Sequence, residues 1–383
     1  MRCKIVSLGD ICSQVYSGGT PKSTENLYYK DGNIPWLNTK EIHFNRIYNT
    51  ERNITEVGLN NSSAKWVYPP AVVVAMYGAT AGNIATIHIP LTTNQACCNL
   101  IVNHDKADYR FVYYYLKWKY KELSRLANGG AQQNLNVKLI KEFIIELPNK
   151  EIQNKFANIL STIDDKIETN TAINKNLENM LQAVYQNRFS SEPQNMLAEI
   201  CSYSKDRLPV SDLTVDDYYS TENMLPQKAG ATTAPNLPAT SQVIKCHAGD
   251  VLVSNIRPYF KKILYCYRDC GCSNDVLCFT PKSQNMTMFL YATLYADRFF
   301  DFMALGAKGT KMPRGGGGDK QQIMTHPIVL PSEKELDSFN SIAFPLMQNI
   351  YNNTSENARL SSLRDTLLPR LMSGEIDVGN VEV

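Results

Sequence analysis

No stretch of this chain is apolar for anything near the roughly 20 residues a membrane-spanning helix needs. The opening Met1-Arg2-Cys3-Lys4 lacks the apolar core of a secretory signal, which predicts a cytoplasmic protein. An excess of one charge is also missing: 39 Lys and Arg against 37 Asp and Glu leave a formal net charge of +2. A basic field over the whole molecule is excluded, although local basic patches are not. Histidine is scarce, and His43, His88, His104, His247 and His326 form no helical metal pair. The Gly-rich stretch ending in Asp319-Lys320 lacks the spacing and the Ser or Thr of a phosphate-binding loop. Two segments approach the Asn/Asp-Pro-Pro-aromatic tetrad of a DNA methyltransferase. Asn33-Ile34-Pro35-Trp36 has Ile in place of the first Pro, and Tyr68-Pro69-Pro70-Ala71 lacks the amide and the aromatic. No catalytic constellation remains, and a non-catalytic protein is expected.

Ten cysteines are present, but in a large chain without an export signal they are expected as reduced thiols. Cys266, Cys270, Cys272 and Cys278 crowd together at a spacing that matches no common zinc pattern. The alternation around them reads as strands, so buried or turn cysteines are expected, with a metal site as the alternative.

What the chain does have is an internal duplication. Its 383 residues suit two domains plus connectors. Leu147-Pro148 and Leu330-Pro331 each introduce a long polar helix pattern with apolar residues every three or four positions. Phe156, Ile159, Ile167, Asn170 and Leu177 reappear as Phe339, Ile342, Ile350, Asn353 and Leu360 at one constant offset. Four segments follow: a turn-rich mixed module over 1–146, a helix over 147–189, a second mixed module over 190–329, and a helix with a tail over 330–383. Landmarks recur between the modules. Val210-Ser211-Asp212-Leu213 echoes Leu8-Gly9-Asp10-Ile11, Ser273-Asn274-Asp275 echoes Thr93-Asn94-Gln95, and a Tyr-rich helix over about 286–304 echoes one over 109–125. The fold class expected is mixed α/β: two similar modules and two long helices with a pseudo-two-fold repeat.

The helices carry heptads. Phe156, Ile163, Asn170, Leu177 and Val184 occupy a positions, and Ile152, Ile159, Ile173 and Met180 occupy d. In the second helix Phe339, Leu346, Asn353, Leu360 and Leu367 repeat the a series, with Pro345 expected to weaken or kink its first turns. A helix over 151–189 would be about 58 Å long at about 1.5 Å per residue. A stripe that long needs a partner helix, and the two helices are expected to pair antiparallel. Asn170 and Asn353 would then face and fix the register by bonding each other; solvation of each amide by itself is the alternative.

In this order the motifs resemble the specificity subunit of type I restriction-modification systems. The resemblance rests on Leu8-Gly9-Asp10-Ile11, Gly18-Gly19-Thr20-Pro21, Asp31-Gly32-Asn33-Ile34-Pro35-Trp36, Gly78-Ala79-Thr80-Ala81-Gly82-Asn83 and Thr93-Asn94-Gln95. The second half adds the segments 309–315 and 327–331. The chain departs from the family in its longer Gly315–Lys320 loop. The resemblance implies two target-recognition domains on an antiparallel helical spacer, each reading one half of a split site in double-stranded DNA. It also implies docking of two methyltransferase subunits carrying S-adenosylmethionine, and of restriction subunits using ATP with Mg. No cofactor is expected on this chain itself.

Candidate DNA contacts follow from residue chemistry, since cations neutralise phosphates while Arg, Lys, Asn and Gln read base edges. In the second module they are Arg257, Tyr259, Lys261 and Lys262, then Lys308, Lys311, Arg314 and Lys320 in and beside the Gly-rich loop. In the first they are Thr20, Lys22, Ser23, Lys40, Tyr77, Thr80 and Asn83, with Gln132 and Gln133 after Asn128-Gly129-Gly130. Ordinary solvated loops would have the same composition. Two other readings compete: a coiled-coil adaptor with no nucleic-acid role, and a fused DNA methyltransferase.

Overall fold

The run Ala71-Val72-Val73-Val74-Ala75 becomes the middle strand of a five-stranded sheet. Its side chains alternate between two cores, as strand geometry requires. Val72 and Val74 face the helices, whereas Ala71, Val73 and Ala75 face a second sheet's side. Burial on both faces is why this strand reads as a continuous apolar run rather than an alternating one. The computed structural model describes residues 3–128, 134–306 and 317–378. Contacts divide the chain into two units, Met1–Glu168 with Asn357–Val383, and Thr169–Glu356. Each unit takes one half of each long helix.

In the first unit the five strands lie in the order Cys12–Ser17, Cys97–Val102, Ala71–Ala75, Ile84–Ile87, Arg46–Ile47. All pairs are antiparallel except the last. A four-stranded sheet orders Asn53–Ile54, Ile34–Leu37, Leu91–Thr93 and Trp66–Val67, and Lys4–Ser7 pairs with Ile144–Leu147.

The second unit repeats this plan. Cys201–Tyr203, Val276–Pro281, Val251–Ser254 and Ile263–Tyr265 form one sheet. A second contains Arg207–Pro209, Gln242–Cys246, Cys270–Cys272 and Tyr218–Tyr219, and Asn195–Met196 pairs with Pro327–Ile328. The Tyr-rich helices are each broken in two, at Lys119 (Tyr109–Trp118, Tyr120–Asn128) and at Ala296 (Thr287–Tyr295, Asp297–Gly306).

One expected correspondence is corrected. The counterpart of Leu8–Ile11 is the short turn Leu197–Glu199, not Val210–Leu213. Both follow the strand that pairs with the end of the module, and both are capped alike. Asp10 accepts the Ser7 N–H and Glu199 accepts the Met196 N–H. Val210–Asp212 instead links two strands of the second sheet.

The first long helix spans Lys150–Arg188 and the second Glu333–Met372. The second runs unbroken past Pro345, which is exposed, so the expected interruption does not occur. Pairing is antiparallel within each unit. In the first, Asp164 meets Arg364 and Ile167 meets Asn357. In the second, Asn174 meets Asn353 and Arg188 meets Ser338.

The expected asparagine pair does not form. Asn170 donates to Glu356 at 2.7 Å, and Asn353 donates to Asn174 at 2.8 Å. The two helices are therefore about one turn away from the alignment that would make the amides face. The buried stripe also differs from a strict a/d seam. Ile173 and Met180 of the d series are exposed, whereas Leu160, Leu181 and Tyr185 are buried. Each half-helix packs on its own module as well as on its partner. In the first unit Phe156 and Leu160 join Leu368 and Leu371 in the module core. In the second Leu181, Tyr185 and Phe189 join Phe339, Ala343 and Met347.

Candidate nucleic-acid interface

Several of the candidate residues of the first module gather at one end of its sheets. Gly18-Gly19-Thr20 leaves the end of Cys12–Ser17, where the Gly18 N–H donates to Cys97 O (3.1 Å) and the Gly19 N–H to Thr93 O (2.8 Å). A β-carbon on Gly18 would lie 2.1 Å from Thr93 O, and one on Gly19 would lie 2.1 Å from Ala64 N, so only glycine permits this approach. Thr20 Oγ1 receives the Gln95 N–H at 3.4 Å. Asn94 ties in the turn that carries Lys40, through its N–H to Leu37 O (2.9 Å) and its amide to Asn38 (3.2 Å). Met76 N–H bonds Ala96 O at 2.8 Å and leads into the turn with Tyr77 and Thr80.

The side chains at this end have different fates. Thr20, Lys22, Ser23, Lys40 and Tyr77 are exposed and Thr80 is half-buried. Lys22 is paired with Glu25 and Lys40 with Glu51, both at the surface. Asn83 is not a free amide, because it donates to Ile42 O at 2.9 Å. Gln132 and Gln133 lie outside the described residues.

In the second module the equivalent turn follows Val251–Ser254 and carries Arg257, Tyr259, Lys261 and Lys262. Lys261 is 2.9 Å from Asp297, which also holds Lys228 at 2.7 Å. Lys262 Nζ donates to Thr221 O at 2.5 Å. These two ammonium groups brace the fold. Arg257 and Tyr259 point to solvent, Tyr259 with 58% of its surface exposed. Lys320, on the helix Gly317–Met324, sits over the Tyr203 ring and offers its carbonyl to the Tyr203 hydroxyl. Lys308, Lys311 and Arg314 lie outside the described residues.

The cysteine group is buried and larger than the sequence suggested. Cys246 joins Cys266, Cys270, Cys272 and Cys278 in one apolar cluster, with Cys270 and Cys266 sulfurs 3.6 Å apart. Among the described residues, no group of three or more His, Cys, Asp or Glu is arranged to hold a metal ion.

Sequence reasoning missed the polar packing between the first module and its helix. A cavity of about 320 Å³ is lined by Arg46, His88, Tyr109, Arg110 and Asp165, among others. Arg46 bonds Asp165 and Glu168, and Arg110 bonds Asp108 and Asn158, so its cations are neutralised within the unit. Burial, then the neighbouring Arg46 charge, lowers the His88 pKa. Arg46 and the helix carboxylates are over 100 positions apart, and nothing local in the sequence links them.

Comparison with known proteins agrees with this architecture. Residues 2–179 match the type I restriction modification DNA specificity domain. The chain is 25% identical to the MjaIX type I restriction enzyme specificity subunit of Methanocaldococcus jannaschii, over 98% of this chain and 93% of that one. It is 31% identical to the HindI specificity subunit of Haemophilus influenzae, over 45% of this chain and 37% of that one. The crystal structure of a type I restriction-modification S subunit from M. genitalium superposes with a TM-score of 0.58 at 18% identity, covering 97% of this chain and 96% of the other, which shows a shared fold. Duplicated modules, paired helices and these matches make the chain similar to the specificity subunits of type I restriction-modification systems along its length.

Proposed function

We propose that this protein reads an asymmetric, bipartite DNA site and recruits the enzymes that act there. One observation carries the reading: the same sheet plan occurs twice, while the turns at equivalent places differ in chemistry. Two like scaffolds with unlike turns suit two half-sites of different sequence. Helices of 39 and 40 residues, each about 60 Å long at about 1.5 Å per residue, exceed one DNA turn of roughly 34–36 Å and leave room for an unread gap. Residues 1–146 and 190–329 are the two reading modules, and 147–189 and 330–383 supply the spacer. DNA contacts are assigned to Thr20, Lys22, Ser23, Lys40, Tyr77 and Thr80 in the first module, with Gln132 and Gln133. In the second they are assigned to Arg257 and Tyr259, with Lys308, Lys311, Arg314 and Lys320.

Ile173 and Met180, exposed on one helix face, supply an apolar surface for partner subunits. Those partners are two methyltransferase subunits, bringing S-adenosylmethionine, and restriction subunits that use ATP with Mg. Replacing residues 1–146 by those of a relative and sequencing methylated DNA from the cells tests the modular reading. One half of the motif should change. A change in both halves, or in neither, refutes it.

A further inference from the structure

One turn is built twice, from different residues. In the first unit the turn after Ala71–Ala75 has Gly78 at φ +76° and Gly82 at φ +88°. In the second, the turn after Val251–Ser254 has Arg257 at φ +54° and Lys261 at φ +52°. Their hydrogen bonds coincide. The Met76 N–H donates to Ala96 O, and the Asn255 N–H to Asp275 O. The Ala75 N–H donates to Asn83 O, and the Ser254 N–H to Lys262 O. The Ala81 N–H donates to Gly78 O, and the Phe260 N–H to Arg257 O. Arg257 therefore stands where the first module has Gly78, and Lys261 where it has Gly82.

A side chain in left-handed backbone costs roughly 1–2 kcal/mol per residue. The first module avoids that cost with glycine, and the second incurs it at both positions. Lys261 has a structural reason to be there, since its ammonium bonds Asp297. The same turn is braced by the Gln227 N–H to Phe260 O (2.7 Å) and the Lys228 N–H to Lys261 O (2.9 Å). Arg257 has no such reason. It is exposed, and among the described residues its guanidinium makes no hydrogen bond or ion pair. A strained residue held outward by a braced turn is the pattern of a functional position.

We infer that Arg257 is a specificity-determining residue of the second module that reads a guanine base edge, donating two N–H bonds to O6 and N7 in the major groove. This rests on the DNA-recognition reading above. A phosphate contact explains the strain less well, because a long cationic side chain reaches the backbone of DNA from an unstrained loop. A bidentate base contact needs the guanidinium fork aimed from a fixed point. Gly78 leaves the matching place of the first module without a side chain, so the two heads differ there.

The test is methylation sequencing of genomic DNA from cells carrying the complete system with the wild-type chain, a gene deletion, Arg257→Gly or Arg257→Lys. Glycine suits the backbone, so Arg257→Gly should melt no lower than wild type. Lysine keeps the charge without the fork. Deletion should abolish the split motif. Both substitutions should allow other bases at one guanine of one half-site, discrimination there falling on the order of ten- to a hundredfold. An unchanged motif overturns the assignment. So does methylation that weakens evenly with every position still read, which is the signature of a phosphate contact. Both results leave the DNA-recognition reading standing, whereas a deletion that leaves genomic methylation intact overturns both.

Discussion

Asp164→Ala should destabilise the first unit severely. Asp164 lies on the first long helix, and its carboxylate accepts from two directions. Arg364 of the second long helix donates at 2.8 Å, and the Tyr114 hydroxyl donates from the module. The Asp164 and Arg364 side chains are only 14% and 17% exposed, and Tyr114 is 1% exposed. One carboxylate thus joins both helices to the first module. Removing one partner of a buried ion pair costs about 3–5 kcal/mol, because the remaining charge stays desolvated. Arg364 retains a contact with Asp365, which itself faces solvent, so the low end of that range applies, about 3 kcal/mol. For a unit of this size each kcal/mol shifts the melting temperature by about 2–4 °C, giving a fall of roughly 6–12 °C. Calorimetry of the full chain measures it. The triple variant Tyr114→Phe, Asp164→Leu, Arg364→Met removes every polar member and should recover most of the loss. A fall below about 2 °C, or a triple variant no more stable than Asp164→Ala, refutes the argument.

Other outcomes are equally open to measurement. His326 is buried against Phe299 and Phe302, and neither ring nitrogen has a partner among the described residues. Burial, then the Arg298 charge, pushes its pKa down to about 4 from an ordinary 6.5. Below about pH 6.5 the unfolded chain therefore binds a proton that the folded chain refuses, so stability is lost as pH falls and the loss levels off near pH 4. At pH 5 it should approach about 2 kcal/mol, and denaturant titrations at pH 7 and pH 5 should show the loss in wild type but not in His326→Phe. Asn170→Leu should raise the melting temperature by replacing a buried amide in the helix seam while weakening amide-exchange protection there; no change in either would discount its register role. Lys311→Ala with Arg314→Ala should flatten the dependence of log K on log salt by about 0.9 for each phosphate no longer neutralised, whereas Lys261→Ala, whose ammonium serves Asp297, should leave the slope alone. Gly78→Arg places a side chain in open space in the first module, at a backbone cost of about 1–2 kcal/mol, and should add a guanine preference to that module's half-site only; an altered preference in the other half would refute the equivalence of the two turns.

Much of the architecture was legible because it is repetitive. Leu-Pro followed by apolar residues at three- and four-residue spacing announces a long helix, and two such runs at a constant offset announce a duplication. Register was not legible. Asn170 and Asn353 both sit at a positions, yet a slip of about one turn still buries apolar residues and gives the amides Glu356 and Asn174 as partners. The buried face was only half legible, since heptads describe one helix partner and each half-helix here also packs on a module. The true counterpart of Leu8–Ile11 was available as a signal, an acidic residue three positions after the cap in both Ser7–Asp10 and Met196–Glu199. Its surrounding residues differ enough that local similarity pointed to Val210–Leu213.

The order of residues alone determined the class of fold, the internal repeat, the two helices and the family resemblance, because periodicity and motif order are properties of the chain. Which cations are left facing solvent was decided only in three dimensions. Lys261, Lys262 and Arg257 are neighbours of like composition, but Asp297 and the Thr221 carbonyl, brought in from distant segments, engage the first two and leave the third facing solvent. A charge's partner depends on what folding places beside it, and composition carries no record of that.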